Sequence, residues 1–179
     1  MIGLKTDIVE LFPYDYTWKD EFQKMKKDIE MALNGYTFDI QHVGSTSIEG
    51  CPAKPVIDIN IGIESLEYGN RLVPLLINIG YIYKGDDGIS GRHYFKKQKN
   101  GVTVSHIHMC PIGGEIWKNQ ILFRDYKREH PEQLQEYIEL KRKLAILYPT
   151  DRASYSLGKK NFIENILVEA EALKRSRKK

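Results

Sequence analysis

The sequence predicts an α/β (α+β) domain, a mixed β-sheet flanked by helices. Three observations predict it. An apolar stripe at helical spacing opens the chain, short β-branched runs fill its middle, and long amphipathic stretches close it. The predicted order is helix, two strands around a loop, helix, three strands, then three helices. That order departs from the regular strand–helix alternation of a repeated βαβ winding.

Each element rests on a local pattern. Over residues 14–34, Trp18, Phe22, Met25, Ile29 and Leu33 recur at steps of four and three, one face of a helix. Asn34-Gly35 stops it, since both residues tolerate a left-handed cap. Tyr36, Phe38 and Ile40 alternate with polar residues in a strand that enters Val43-Gly44. Val56–Ile63 is dense in β-branched residues and reads as a central strand. Residues 65–79 read as a second helix with Leu72, Val73, Leu75, Leu76 and Ile79 inward, ended by Gly80, and Tyr81-Ile82-Tyr83 as a strand. Lys84–Gly88 is a loop. Arg92–Lys97 and Val102–Met109 form two strands joined at Asn100-Gly101, a hairpin dipeptide. Helices follow over 115–128, Pro131–Tyr148 and Ser154–Leu173, the second opened by a first-turn proline. These last helices either cover one sheet face or form a small subdomain.

Bulk properties bound the function. The chain has 179 residues, 41% hydrophobic and 28% charged, which is one ordinary globular domain with a buried core. Its formal charge of +3 does not argue for nucleic acid, and much of the excess lies in residues 174–179, read as a solvated, frayed tail. A nucleic-acid partner is not expected, because the chain lacks a basic motif interleaved with aromatic residues. Cys51 and Cys110 read as two reduced thiols. The apolar runs fall short of the roughly 20 residues a membrane span needs, and the first residues carry acids and a proline where a signal peptide is apolar. The expected location is the cytoplasm.

The stretch from His42 to Asn60 carries the chemistry. Gly44 permits close approach of a ligand, and Ser45, Thr46 and Ser47 supply hydroxyls and N–H groups for phosphate oxygens. Asp58 and Asn60 share one face of the following strand, two oxygen ligands of the kind a Mg²⁺ site uses. An acid in a Val/Ile-rich strand is costly unless it is paired, capping or metal-bound. His106 and His108 point to one side of a strand with Ile107 inward, a pair able to ligate a divalent metal or contact phosphate. Lys54, Arg92, Arg124 and Lys159 are the candidate phosphate-neutralising cations, each also readable as a surface charge. No Gly-x-Ser-x-Gly elbow, Walker loop or Gly-x-Gly-x-x-Gly fingerprint occurs.

The chain resembles the GrpB family, which belongs by fold to the nucleotidyltransferase superfamily. The resemblance is carried by Pro13-Tyr14-Asp15 with Trp18, His42–Ser47, Ala53–Ile59, His106-Ile107-His108, Phe123–Tyr126, and Tyr155 with Lys159 and Phe162. It implies a nucleotidyltransferase-like sheet with Gly44 and Ser45 facing phosphates and Asp58 as principal metal ligand. Two departures accompany it. Asn60 stands where a second carboxylate is expected, and His106 or His108 occupies the strand where a third acid belongs. Fewer acids lower affinity for hard divalent ions and disfavour two-metal catalysis, whereas a His-containing set suits Mn²⁺ or Zn²⁺. The expected cofactor is a divalent metal, Mg²⁺ or Mn²⁺, with Zn²⁺ as the alternative. The expected function is metal-dependent nucleotidyl transfer to an unknown acceptor, with Asp58, Asn60 and His108 catalytic. The alternatives are a binding module for a nucleotide or phosphorylated metabolite whose catalytic acids have eroded, and a metal-dependent phosphoryl hydrolase.

Overall fold

The stripe predicted over residues 14–34 becomes helix α1 (Thr17–Ala32) in the computed structural model, which describes residues 2–177. Asp15 Oδ1 caps its start by accepting from Thr17 N at 2.9 Å and Thr17 Oγ1 at 2.6 Å. Gly35, at φ +87°, turns the chain out of it. Strand β1 (Asp39–Val43) begins three residues later than Tyr36, which is exposed, because the chain is still leaving the helix there. A single 3₁₀ turn (Ser45–Ser47) leads toward β2 (Ile57–Ile63).

The helix predicted over 65–79 is two short helices, α2 (Leu66–Asn70) and α3 (Val73–Asn78). Pro74 explains the break: it has no N–H to donate to Asn70, and its ring excludes a continuous helix. It is accepted in the first turn of α3 instead. Strands β3 (Tyr81–Tyr83), β4 (His93–Lys99) and β5 (Val102–Pro111) follow. The β4–β5 turn places Asn100 at φ +51° and Gly101 at φ +76°, both left-handed as a tight hairpin requires.

The last predicted helix is also two. After α4 (Glu115–Glu129) and α5 (Pro131–Leu147) come α6 (Arg152–Gly158) and α7 (Lys160–Ser176). Gly158 lies so close to Leu144 of α5 that a Cβ would collide with it. The chain turns there at Lys159 and lays α7 along α4. Periodicity alone does not register such a bend, since the apolar positions continue through it. The run read as a frayed tail extends α7 to Ser176, and Arg177 pairs with Glu129 at 3.0 Å; Lys178 and Lys179 lie outside the described residues.

The five strands form one mixed sheet in the order β1-β2-β5-β4-β3. β2 and β5 run parallel, and the other pairs are antiparallel. β2 is interior as predicted, with β5 at the centre. One face of the sheet presents Ile57, Ile59, Ile61, Ile63, Phe95 and Ile107, all fully buried, to Trp18, Phe22, Met25, Ile29 and Leu33 of the α1 region and to Leu72 and Leu76. Each such side chain contributes roughly 1.5–3 kcal/mol by leaving water. The other face carries the alternate residues and looks toward the C-terminal helices, which build their own apolar cluster from Ile48, Cys51, Phe123, Tyr137, Ile138 and Ile166. Trp117 of α4 docks over Gly62, where a side chain would displace it. Among the described residues no helix is long and apolar enough to cross a membrane.

Candidate functional site

The site begins where β1 ends. Val43 pairs with Asp58 in the antiparallel register, so the backbone of Gly44 passes directly over the Asp58 side chain. A Cβ on residue 44 would collide with Asp58 Oδ2, and Gly44 adopts φ +70°, ψ −175°, a region essentially restricted to glycine. Its carbonyl accepts from Ser47 Oγ at 2.6 Å, which closes the turn. Two arginines of α4 hold the turn from behind. Arg124 donates to His42 O and Gln41 Oε1, both at 3.0 Å, and Arg128 Nη2 donates to Ser47 O at 2.6 Å. His42 stacks on Phe22 with ring centroids 4.6 Å apart and meets Thr46 Oγ1 at 3.0 Å; burial lowers its pKa to about 4, so the ring is neutral.

The parallel β2–β5 register sets Asp58 beside His106 and Asn60 beside His108. His106 Nδ1–H donates to Asp58 Oδ1 at 3.0 Å, and its Nε2 accepts from Arg152 Nη2 at 3.2 Å. These two bonds fix a neutral tautomer, and burial lowers the His106 pKa despite the neighbouring carboxylate. His108 Nδ1 accepts from Arg92 Nη1 at 2.7 Å, and burial lowers its pKa to about 3. Burial acts to raise the Asp58 pKa, but the His106 hydrogen bond and the charges around it hold it at about 2. Tyr94 lies between the imidazoles, 5.7 Å from the His106 ring and 5.4 Å from the His108 ring, with the Arg92 guanidinium stacked on it at 4.4 Å.

Opposite the sheet, the loop before β2, helix α5 and the junction of α6 and α7 supply amines. Lys54 and Lys159 approach the Tyr155 ring at 5.4 and 4.3 Å. Burial first, then the neighbouring cations, lower Lys54 to about 8 and Lys159 to about 7. Lys141, only 1% exposed, donates to Pro52 O, to Cys51 Sγ at 3.0 Å and to Ser45 Oγ at 3.2 Å. Between these walls is a cavity of about 1050 Å³. Six cations line it, Lys54, Arg92, Lys96, Lys141, Arg152 and Lys159, and all six are buried or half-buried. Four acids line it, and of these Asp7, Asp87 and Asp151 are exposed at its rim while Asp58 alone points from the floor.

Of the sequence-predicted site residues, Gly44, Ser45, Thr46, Lys54, Asp58, His106, His108 and Lys159 all line this cavity. Asn60 and Arg124 do not. Asn60 is fully buried below the floor, with Oδ1 accepting from Cys110 Sγ at 3.2 Å and Nδ2 without a partner among the described residues. Arg124 spends its donors behind the turn, on Gln41, His42 and Asp125. Sequence reasoning passes over Arg152, Lys141, Tyr94 and Tyr137, and gives Arg92 no contact. Lys141 carries a signal: it falls on the apolar stripe Tyr137, Ile138, Leu144, where a charge is out of place. Arg152 carries none, because its role depends on which loop the fold sets against His106.

The donor set does not fit the carboxylate-bound Mg²⁺ pair that the family resemblance implies. Among the described residues Asp58 is the one inward carboxylate, Asn60 is committed beneath it, and the lone pairs of His106 Nε2 and His108 Nδ1 are taken by guanidinium N–H groups. Among the described residues, no three His, Cys, Asp or Glu side chains converge on one point.

Comparison with known proteins places these residues in a family. The chain is 36% identical over 169 residues to UPF0157 protein YqkA of Bacillus subtilis, matching 94% of this chain and 49% of that protein, so it spans about half the length of that relative. It is 37% identical over 176 residues to glutamate-rich protein GrpB of Alkalihalophilus pseudofirmus, covering 94% of this chain and 99% of the other. The crystal structure of conserved protein GrpB from Enterococcus faecalis superposes with a TM-score of 0.82 at 30% identity, covering 90% of this chain and 96% of that one. A structure of the Cid1 poly(U) polymerase with Mg 3′-dATP bound matches at TM-score 0.55 and 13% identity, over 83% of this chain and 49% of that one, a likeness of fold. The sheet is therefore nucleotidyltransferase-like. The GrpB protein family model matches residues 8–169, and this chain belongs to the GrpB family.

Proposed function

We propose that the cavity binds a nucleotide or another phosphorylated small molecule as a polyanion. The observation that carries this reading is the charge of the lining: six buried or half-buried cations face a single inward carboxylate. So many desolvated positive groups repel one another, and an anion relieves that repulsion. The Gly44 turn brings Ser45 and Thr46 to the same wall, and Lys54 and Lys159 reach it from the opposite side. The volume accommodates a ligand of nucleotide size, and Cid1 structures of the same fold hold MgATP and MgGTP.

The Asp58–His106 pair supports a second reading, transfer chemistry at the same site. A carboxylate-held neutral imidazole acts as a general base once a ligand draws Arg152 from its Nε2. Thermal unfolding with ATP, CTP, GTP, UTP and a sugar phosphate tests the shared premise. A ligand at 100 times its Kd stabilises by about 2.7 kcal/mol, and Lys54→Gln with Lys159→Gln abolishes the gain. Unmoved midpoints with every compound sink the phosphate reading. Label from [α-³²P]ATP retained on an acceptor, and lost in His106→Gln, would establish the transfer reading.

A further inference from the structure

Three atoms on the cavity floor that could hold a divalent cation, Asp58 Oδ1, His106 Nε2 and His108 Nδ1, are each turned toward an N–H instead. Asp58 Oδ1 accepts from His106, His106 Nε2 accepts from Arg152, and His108 Nδ1 accepts from Arg92. Each imidazole therefore carries a guanidinium where a metal ion would draw its lone pair. Arg92 is further anchored through Nε to Asp86 O at 3.0 Å and by stacking on Tyr94, which leaves its Nη2 without a hydrogen-bond partner among the described residues. Arg152 follows the Asp151 cap at the start of α6, and among the described residues only its Nη2 is engaged.

We propose that Arg92 and Arg152 take the charge-neutralising place of divalent ions, so that the cavity holds the phosphate groups of its ligand as the metal-free anion. The inference rests on the phosphate reading of the cavity and assigns its recognition groups. A guanidinium suits this role because its charge is permanent and its planar fork matches two phosphate oxygens. Asp58 is then a positioning residue. By accepting Nδ1–H it fixes the His106 tautomer whose Nε2 lone pair steers Arg152, and His108 steers Arg92 in the same way. A Mg²⁺ ion on the ligand occupies the oxygens the forks would take and cancels charge the site is built to meet, so magnesium competes with the protein.

Titration calorimetry of the full chain in metal-stripped buffer, with ATP and with inorganic tripolyphosphate as probes, tests the assignment. Both probes are expected to bind without metal, and excess Mg²⁺ weakens ATP by about fivefold or more. Arg92→Gln and Arg152→Gln each weaken metal-free binding by about tenfold, which is about 1.4 kcal/mol. Arg152→Lys, which keeps the charge but loses the planar fork, recovers only part of it. Binding of ATP that requires Mg²⁺ or Mn²⁺ would overturn the arginine assignment and leave the phosphate reading standing. So would saturable binding of Mn²⁺ alone that Asp58→Ala abolishes. Failure of both probes in both buffers overturns the two together.

Discussion

The two faces of the sheet are made by the same strands, one residue apart, and they obey opposite rules. On β2, Ile57, Ile59, Ile61 and Ile63 enter a dry core against α1 and α3, while Asp58, Asn60 and Gly62 face the C-terminal helices. On β5, Ile107 and Met109 belong to the first set and His106 and His108 to the second. The apolar face is held by area and packing, which any well-filled set of branched side chains supplies. The polar face is held by an ordered chain of donors and acceptors, Asp58 to His106 to Arg152 and His108 to Arg92, where each group needs its particular partner. Stability should therefore reside mainly on one face and ligand recognition on the other.

The sharpest way to break that division is a large cut on the apolar face. Ile59→Ala removes a fully buried side chain beneath the site and is expected to cost about 3 kcal/mol. Urea unfolding should show a lower midpoint at an unchanged slope. At concentrations of urea where both proteins are folded, affinity for tripolyphosphate should agree with wild type within about twofold. A parallel loss of affinity would show that the faces are not separable.

This contrast also explains which features a sequence reveals by itself. The apolar face is legible because hydrophobic periodicity is a local signal, and the stripe of Trp18, Phe22, Met25 and Ile29 needs nothing from elsewhere in the chain. The Gly44 turn and Asp58 are legible because glycine before serines, and an acid among isoleucines, are locally out of place. Asp58 and His106 meet only through a parallel register across 48 positions of sequence, which no local pattern encodes. Arg152 and Lys141 arrive from helices whose docking is set by Gly158 against Leu144 and Trp117 over Gly62. The helix break at Lys159 has the same tertiary origin. The one at Pro74 is local, since the proline stands in the sequence and outweighs the apolar period running through it.

A second, smaller effect tests whether Asn60 belongs to the floor or to the site. Asn60→Asp restores the acid-x-acid pattern, but it places a carboxylate in a fully buried position near Asp58. Burial and like charge raise the pKa of the new acid above its unfolded value, so the folded state binds a proton the unfolded chain releases. The variant should lose roughly 2 kcal/mol at pH 7 and less at pH 5, because stability falls as pH rises between those two pKa values. Added Mn²⁺ should not restore it. Recovery of the full loss by Mn²⁺ would place residue 60 at the ligand after all.

The smallest effect reads the amines opposite the floor, and its two readouts have opposite signs. Lys159 titrates at about 7 and Lys54 at about 8, both below the ordinary 10.5 of a free lysine because burial penalises the charged amine. Between those values and 10.5 the unfolded chain holds protons that the folded chain lacks, so the free protein gains stability from these groups as pH rises. A bound polyanion instead favours the charged amines, so affinity is highest below about pH 7 and falls as pH climbs through about 7 and 8, by up to about tenfold per pH unit for each amine protonated on binding. Lys159→Arg keeps its charge throughout and should remove the lower inflection while leaving the one near 8. Comparing tripolyphosphate affinity of this variant with wild type from about pH 6 to about pH 9 cancels the titration of the probe itself. Identical pH profiles would mean that Lys159 lines the wall without meeting the anion, leaving Lys54 as the amine that meets it from opposite the sheet.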